Sequence, residues 1–205
     1  CTVVDVPALL ILDAALGLAN LDVVLNLHPK ITLHDVFTGK ASLDEAVIAA
    51  PGGFSVVLAG SGMVEYSRLT PEVRNQFLSV IETLTPRYDV ILLDTGAGIS
   101  DVVLFSVSLA SEVMIVATPE PTSLTDAYAT IKVLSRDYHQ NRFKVLTNEV
   151  KDEAEGMQVF GKLTRVTDRF LNVSLDFLGC VPHDRNVTQA VRMQTAAILC
   201  QPDGV

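Results

Sequence analysis

The sequence predicts an α/β fold, a mostly parallel sheet with helices on both faces, and three observations lead there. Hydrophobic residues fill 49% of the 205 positions and mean hydropathy is +0.37, as expected when strands are covered on both sides. Six short apolar runs recur with helical patterns between most of them, the alternation that builds parallel strands joined by right-handed crossovers. Two of those runs, LILD and VILLD, end in an aspartate.

The first run, Ala8 to Leu12, leads into Asp13, and the second, Phe54 to Leu58, leads into Gly60-Ser61-Gly62. Asn75 to Leu84 reads as a helix. Val90 to Leu93 is a continuous apolar run, the mark of a strand buried on both faces, and it opens through Asp94 into Gly96 and Gly98. Ser100 is placed to cap a helix over Val102 to Leu109. Val113 to Ala117 is followed by Thr118-Pro119-Glu120-Pro121. From Pro121 to Tyr138, Leu124, Ala127, Tyr128, Ile131, Leu134 and Tyr138 form one apolar stripe, with Ser123 and Asp126 as a capping-box start. Phe143 to Leu146 ends in Thr147-Asn148, and a helix follows over Glu153 to Leu171. Leu175 to Val181 ends in Pro182-His183-Asp184, with Asp184 placed to cap Val187 to Met193.

In a parallel sheet these polar strand ends share one edge and converge on one crevice, where open α/β sheets place ligands. Asp94 is the sharpest candidate, because two glycines behind it let the backbone approach an anion closely. A buried aspartate capping the next helix is the plainer alternative, but Ser100 already serves there. The Gly60 to Gly62 segment alone reads as a turn. The whole chain, residues 1–205, is expected to form one domain.

Composition excludes several functions. A net charge of −9 argues against direct nucleic-acid binding, which needs Lys and Arg to displace counterions. No apolar run reaches the ~18 to 20 residues of a membrane span, and Asp5 and Asp13 interrupt the amino-terminal apolar stretch. Cys1, Cys180 and Cys200 lack metal spacing and read as reduced thiols of a cytoplasmic protein. The four histidines show no metal-site spacing, and no serine sits in a nucleophile elbow.

The segments LILDAALGLANLD (10–22), DTGAGISD (94–101), TPEPTSLTDAYATIK (118–132) and GCVPHDRNV (179–187) resemble the MinD/ParA-like P-loop ATPases nearly end to end. Within that family the likeness is greatest to the flagellar-number branch, FleN/FlhG. The resemblance implies a MinD-like switch that uses ATP and Mg²⁺, dimerises with ATP and regulates flagellar number or placement. It implies that Asp94 is the Walker-B-type carboxylate near Mg²⁺ and that Asp13 is the first acidic position of the switch motif. Gly96 and Gly98 would sense the γ-phosphate, and Asn148, Pro182 and Asp184 would hold the adenine. The implied partners are an FlhF-like flagellar GTPase or a flagellar transcription activator, with peripheral inner-membrane association if a carboxyl-terminal amphipathic helix is present.

Two departures shape the expectation. The family's KGGxGKT loop and its strand should precede Asp13 and are absent from these 205 residues, so an amino-terminal truncation is expected. Gly39-Lys40 is no substitute, because Ala41 follows where a Ser or Thr hydroxyl would ligate Mg²⁺. Thr2 to Val6 could stand in for the missing strand, but it is short and Pro7 limits its extension toward Ala8. In LDAALGLAN, Ala15 occupies the place of the family's catalytic aspartate. Phosphoryl transfer rests on positioned charge, so impaired nucleotide binding and hydrolysis are expected, and a non-catalytic interaction module is the alternative.

Overall fold

The computed structural model describes residues 7–15, 20–60 and 68–196. Cys1, Thr2 to Val6, Ser61, Gly62 and Cys200 lie outside them. The chain divides into two compact units: Cys1–Gly96 with Asp101–Val103 and Asn186–Val205, and Ala97–Ser100 with Leu104–Arg185.

In the first unit, β1 (Leu9–Asp13) lies between two partners in a sheet ordered β2-β3-β1-β4, with β2 at Val47–Ala49, β3 at Ser55–Val57 and β4 at Val90–Asp94. β1 runs parallel to both neighbours, and its register with β4 sets Leu12 beside Leu93 and Asp13 beside Asp94. Leu10 and Leu12 are fully buried, as the apolar run requires. The short β2 runs antiparallel to β3, so the sheet is mostly rather than wholly parallel, and no apolar run of the sequence marked β2. It is three residues long and turns through Gly52 and Gly53 at positive φ, too short to show a period.

Three short helices also escaped the sequence reading: α1 (Leu21–Leu25), α2 (Leu33–Phe37) and α3 (Leu43–Ala46). Two of them start in capping boxes, Thr32 with Asp35 and Ser42 with Glu45, the signal that could have found them. The next helix, α4, spans Pro71–Leu84 and starts four residues before the expected Asn75. Thr70 accepts the Val73 N–H and Pro71 occupies the first helical position, so the chain turns early. The buried stripe is Val73, Phe77, Val80 and Leu84. α5 (Asp101–Ser108) follows, with the Leu104 N–H donating to the Ser100 carbonyl at 2.9 Å.

The second unit is a parallel sheet ordered β5-β6-β7, with β5 at Met114–Ala117, β6 at Arg142–Val150 and β7 at Ser174–Pro182. The described strands therefore pair as two sheets, where the sequence suggested one. β6 continues four residues past the expected Leu146, through Thr147 and Asn148, by way of a register shift at Asn148/Val150 and a positive φ at Glu149. Helix α6 spans Pro121–Asp137 and begins on Pro121 with Glu120 as its cap, not on the Ser123 box. The Ser123 hydroxyl instead accepts the Thr118 N–H at 2.9 Å and ties the helix start to the end of β5. Helix α7 (Glu153–Phe170) starts at Asp152, whose carboxylate accepts the Glu155 N–H at 2.9 Å. It packs so closely on the sheet that a Cβ at Gly156 would stand 2.8 Å from Thr147 Oγ1. Ile131, Leu134, Phe143, Val145, Val150, Val159 and Leu163 form the core of this unit. The last helix among the described residues, α8 (Arg185–Arg192), starts directly after Asp184, and from Asn186 onward it belongs to the first unit.

Candidate functional site

The ends of β1 and β4 bring Asp13 and Asp94 side by side. The ladder continues past the strands, with the Ala14 N–H donating to the Asp94 carbonyl at 2.8 Å. Asp13 is 1% exposed. One of its oxygens, Oδ1, accepts the Ala15 N–H at 3.1 Å, and Oδ2 has no hydrogen-bond partner although it is buried. A buried carboxylate oxygen without a partner is costly, and that cost appears as a proton affinity. Burial pushes the Asp13 carboxyl up to about 6, with the neighbouring Asp94 charge adding to the rise, while the Ala15 and Ala59 amides oppose it. Asp94 lies exposed at its strand end, yet the atoms packed around it also raise its carboxyl.

Gly96 stands near Ala15, two residues past Asp13: a Cβ there would lie 4.0 Å from the Ala15 Cβ. At the end of β3, Gly60 has φ +91, and a Cβ on it would come within 2.8 Å of Thr32 Oγ1. Only glycine allows that turn beside the head of α2. The Ala59 amide is a participant that sequence reasoning missed, and a backbone N–H carries no residue signal.

The second unit gathers a different group. Asn148 is paired with Val181 and Val150 with Pro182, and the His183 N–H donates to the Val150 carbonyl at 2.7 Å. Asn148, Pro182 and Asp184 thus share the ends of β6 and β7. Gly98 has φ +95. The expected site residues form two sets, Asp13, Asp94 and Gly96 in one unit and Gly98, Asn148, Pro182 and Asp184 in the other.

Two adjacent carboxylates, one with a free buried oxygen, suit a hard divalent cation. Among the described residues no cluster of three or more His, Cys, Asp or Glu could hold a metal alone. Mg²⁺ fits such a pair, because it keeps waters and takes one or two protein carboxylates plus substrate phosphates.

No family model matches the chain. The antiactivator FleN of Pseudomonas aeruginosa is 45% identical over 187 residues, covering 91% of this chain and 67% of FleN. This chain belongs to the MinD/ParA-like ATPase family. Its place there is the FleN/FlhG branch, and the flagellum site-determining protein YlxH of Helicobacter pylori is 29% identical over 89% of the chain and 62% of that protein. This family member spans about two-thirds of the length of the curated relatives it matches. The MinD-like fold also stands out among solved structures. The cell-division ATPase MinD of Pyrococcus furiosus superimposes with a TM-score of 0.73 at 22% identity, over 97% of this chain and 80% of that one. The septum site-determining protein MinD of Pyrococcus horikoshii, solved with Mg-ADP, gives 0.73 over 97% of this chain and 78% of that one. No helix among the described residues is long and apolar enough to cross a membrane.

Proposed function

We propose that this chain is part of an ATP- and Mg²⁺-dependent MinD-type switch that sets flagellar number or placement, with residues 1–205 acting as one ATPase domain. The observation that carries the reading is the register pair Asp13 and Asp94, with a buried Asp13 oxygen that no protein group satisfies. Bound Mg²⁺ would supply charge neutralisation for the β- and γ-phosphates of ATP. Asp94 and Asp13 would hold the cation, the latter giving up its proton to do so. As the family resemblance implies, Gly96 and Gly98 would follow the γ-phosphate, and Asn148, Pro182 and Asp184 would hold the adenine. Ala15 cannot orient water, so turnover is slow even with nucleotide bound.

Ala15 also favours a second reading, a non-catalytic interaction module that holds a partner. FleN is named an antiactivator. The partner would then be a flagellar transcription activator or an FlhF-like GTPase, and an ATP-dependent homodimer is the natural state for engaging it. A cytoplasmic protein, peripheral at the inner membrane if it carries an amphipathic anchor, fits both readings.

The experiment is calorimetric titration with ATP and Mg²⁺ on the longest natural polypeptide that contains this chain, with phosphate release measured beside it. The first reading expects Mg²⁺-dependent binding that Asp94→Ala abolishes, and turnover that rises when Ala15→Asp restores the carboxylate. Binding indifferent to Mg²⁺ and to Asp94→Ala would sink it. Unchanged turnover in Ala15→Asp would show that Ala15 does not stand at the water-orienting position.

A further inference from the structure

The face of the second unit formed by α6 and α7 carries a groove that the nucleotide reading does not use. Leu124, Thr125 and Tyr128 of α6 and Lys162, Leu163 and Val166 of α7 line a cavity of about 210 Å³. Its floor is apolar: Leu163 is buried, and Leu124 and Tyr128 are half-buried against the core of the unit. Its wall is not covered. Val166 is 41% exposed, and Phe170, one turn further along α7, is 59% exposed.

Charge is organised beside this groove. Lys162, Arg165 and Arg169 recur at i, i+3 and i+7, which sets three cations on the side of α7 that carries Val166. Asp168 is the one acidic residue between 162 and 170; at i+3 it neighbours Arg165, while at i+2 from Val166 it points away from the groove wall. The Arg169 guanidinium stands 5.1 Å from the Phe170 ring centroid, so cation and aromatic present one surface. The ion pairs of Arg87 with Asp44 and of Lys144 with Glu112 use none of these cations. A chain of net charge −9 thus keeps a cationic ridge next to an apolar hollow. Aromatic and Arg side chains around an apolar pocket are the residue types that anchor protein interfaces.

We propose that the α6/α7 groove docks an acidic amphipathic helix of a partner protein. Its apolar side chains, at i, i+3 or i+4 and i+7, would enter the hollow over Leu163 and Val166, and its carboxylates would face Lys162, Arg165 and Arg169. The concave, apolar floor favours inserted side chains over a flat lipid surface, and the same floor offers nothing to a phosphate backbone. The proposal stands apart from the nucleotide reading, and its test uses no nucleotide.

The test is fluorescence anisotropy with two labelled synthetic peptides, both amphipathic helices with the same leucine stripe. One carries glutamates on its flanks and the other carries lysines at those positions. The glutamate peptide should bind, with the lysine peptide at least tenfold weaker. Val166→Glu should weaken the glutamate peptide at least tenfold, and the triple change Lys162→Glu, Arg165→Glu, Arg169→Glu should reverse the preference between peptides. All four positions are exposed, and a circular-dichroism melt checks that the variants stay folded. Equal binding of both peptides, no binding at all, or binding indifferent to these changes would overturn the proposal. Phosphatidylglycerol vesicles that sediment the chain through these same residues, with no peptide binding, would also overturn it in favour of a lipid surface.

Discussion

β1 and β4 are near copies in sequence, LLILD and VILLD, and they lie side by side in register, yet they live in different environments. β1 has partners on both edges, its Leu10 and Leu12 are fully buried, and its aspartate is 1% exposed. Among the described residues β4 pairs with β1 alone, and every second residue, Val90, Leu92 and Asp94, is exposed. The apolar run names a strand but does not say how many sides of it are covered; that depends on which strands pair with it. The same difference separates the two carboxylates, one buried with an orphaned oxygen and one at the edge. A pair made this way holds one charge that water barely reaches and one that a ligand reaches directly.

The sharpest way to break this comparison is truncation at matched positions. Leu12→Ala in β1 removes a fully buried side chain and should cost about 2–5 kcal/mol of unfolding free energy in chemical denaturation. A cost below 1 kcal/mol would mean that β1 is not the covered strand.

Asp13→Asn should act in the opposite direction. The folded state holds a proton on Asp13 up to about pH 6, whereas an unfolded aspartate releases it near 3.8. Stability from this group is therefore present below about pH 4 and lost as pH rises through 6. Removing the buried charge should stabilise the protein above pH 6 by up to about 3 kcal/mol, with the gain vanishing near pH 4. Thermal melts at pH 4 and pH 7 read it, and a variant less stable than the parent at pH 7 would contradict it. The same variant should lose Mg²⁺-dependent nucleotide binding, a trade of stability against function.

Gly60→Ala tests the turn that closes β3 beside the pair. The positive φ and the 2.8 Å approach to Thr32 Oγ1 should make it destabilising by about 1–3 kcal/mol. The smallest effect belongs to β4: Leu92→Ala, at 45% exposure, should cost under about 1 kcal/mol. If Leu92→Ala costs as much as Leu12→Ala, the two strands are equally covered and the contrast fails.

Long elements were legible because their signals are long. The apolar stripes of α6 and α7 repeat over several turns, and both helices end within one residue of expectation. The six apolar runs are six strands, and Asp13 and Asp94 could be named because an aspartate closing an apolar run is unusual. What escaped has physical reasons. β2 and the helices α1 to α3 are three to five residues long, too short for a period to repeat into a readable pattern. The extension of β6 needed a bulge at Glu149 that no turn residue announced. Ser123 was a fair cap by type, but Pro121 had already started the helix. The burial of Asp13 against the exposure of Asp94 depends on pairing partners distant in sequence, which no local pattern encodes.

The most direct test of the central claim is site-resolved titration of the two carboxyls by carbon NMR, in the parent chain and in Asp94→Asn. The claim is that covered β1 buries a carboxyl beside an accessible one. It predicts that Asp13 titrates near 6 in the parent and shifts downward in Asp94→Asn, because the neighbouring charge that raises it is gone. An Asp13 carboxyl that titrates with ordinary aspartates, near 4 or below, and ignores the substitution at Asp94 would contradict it.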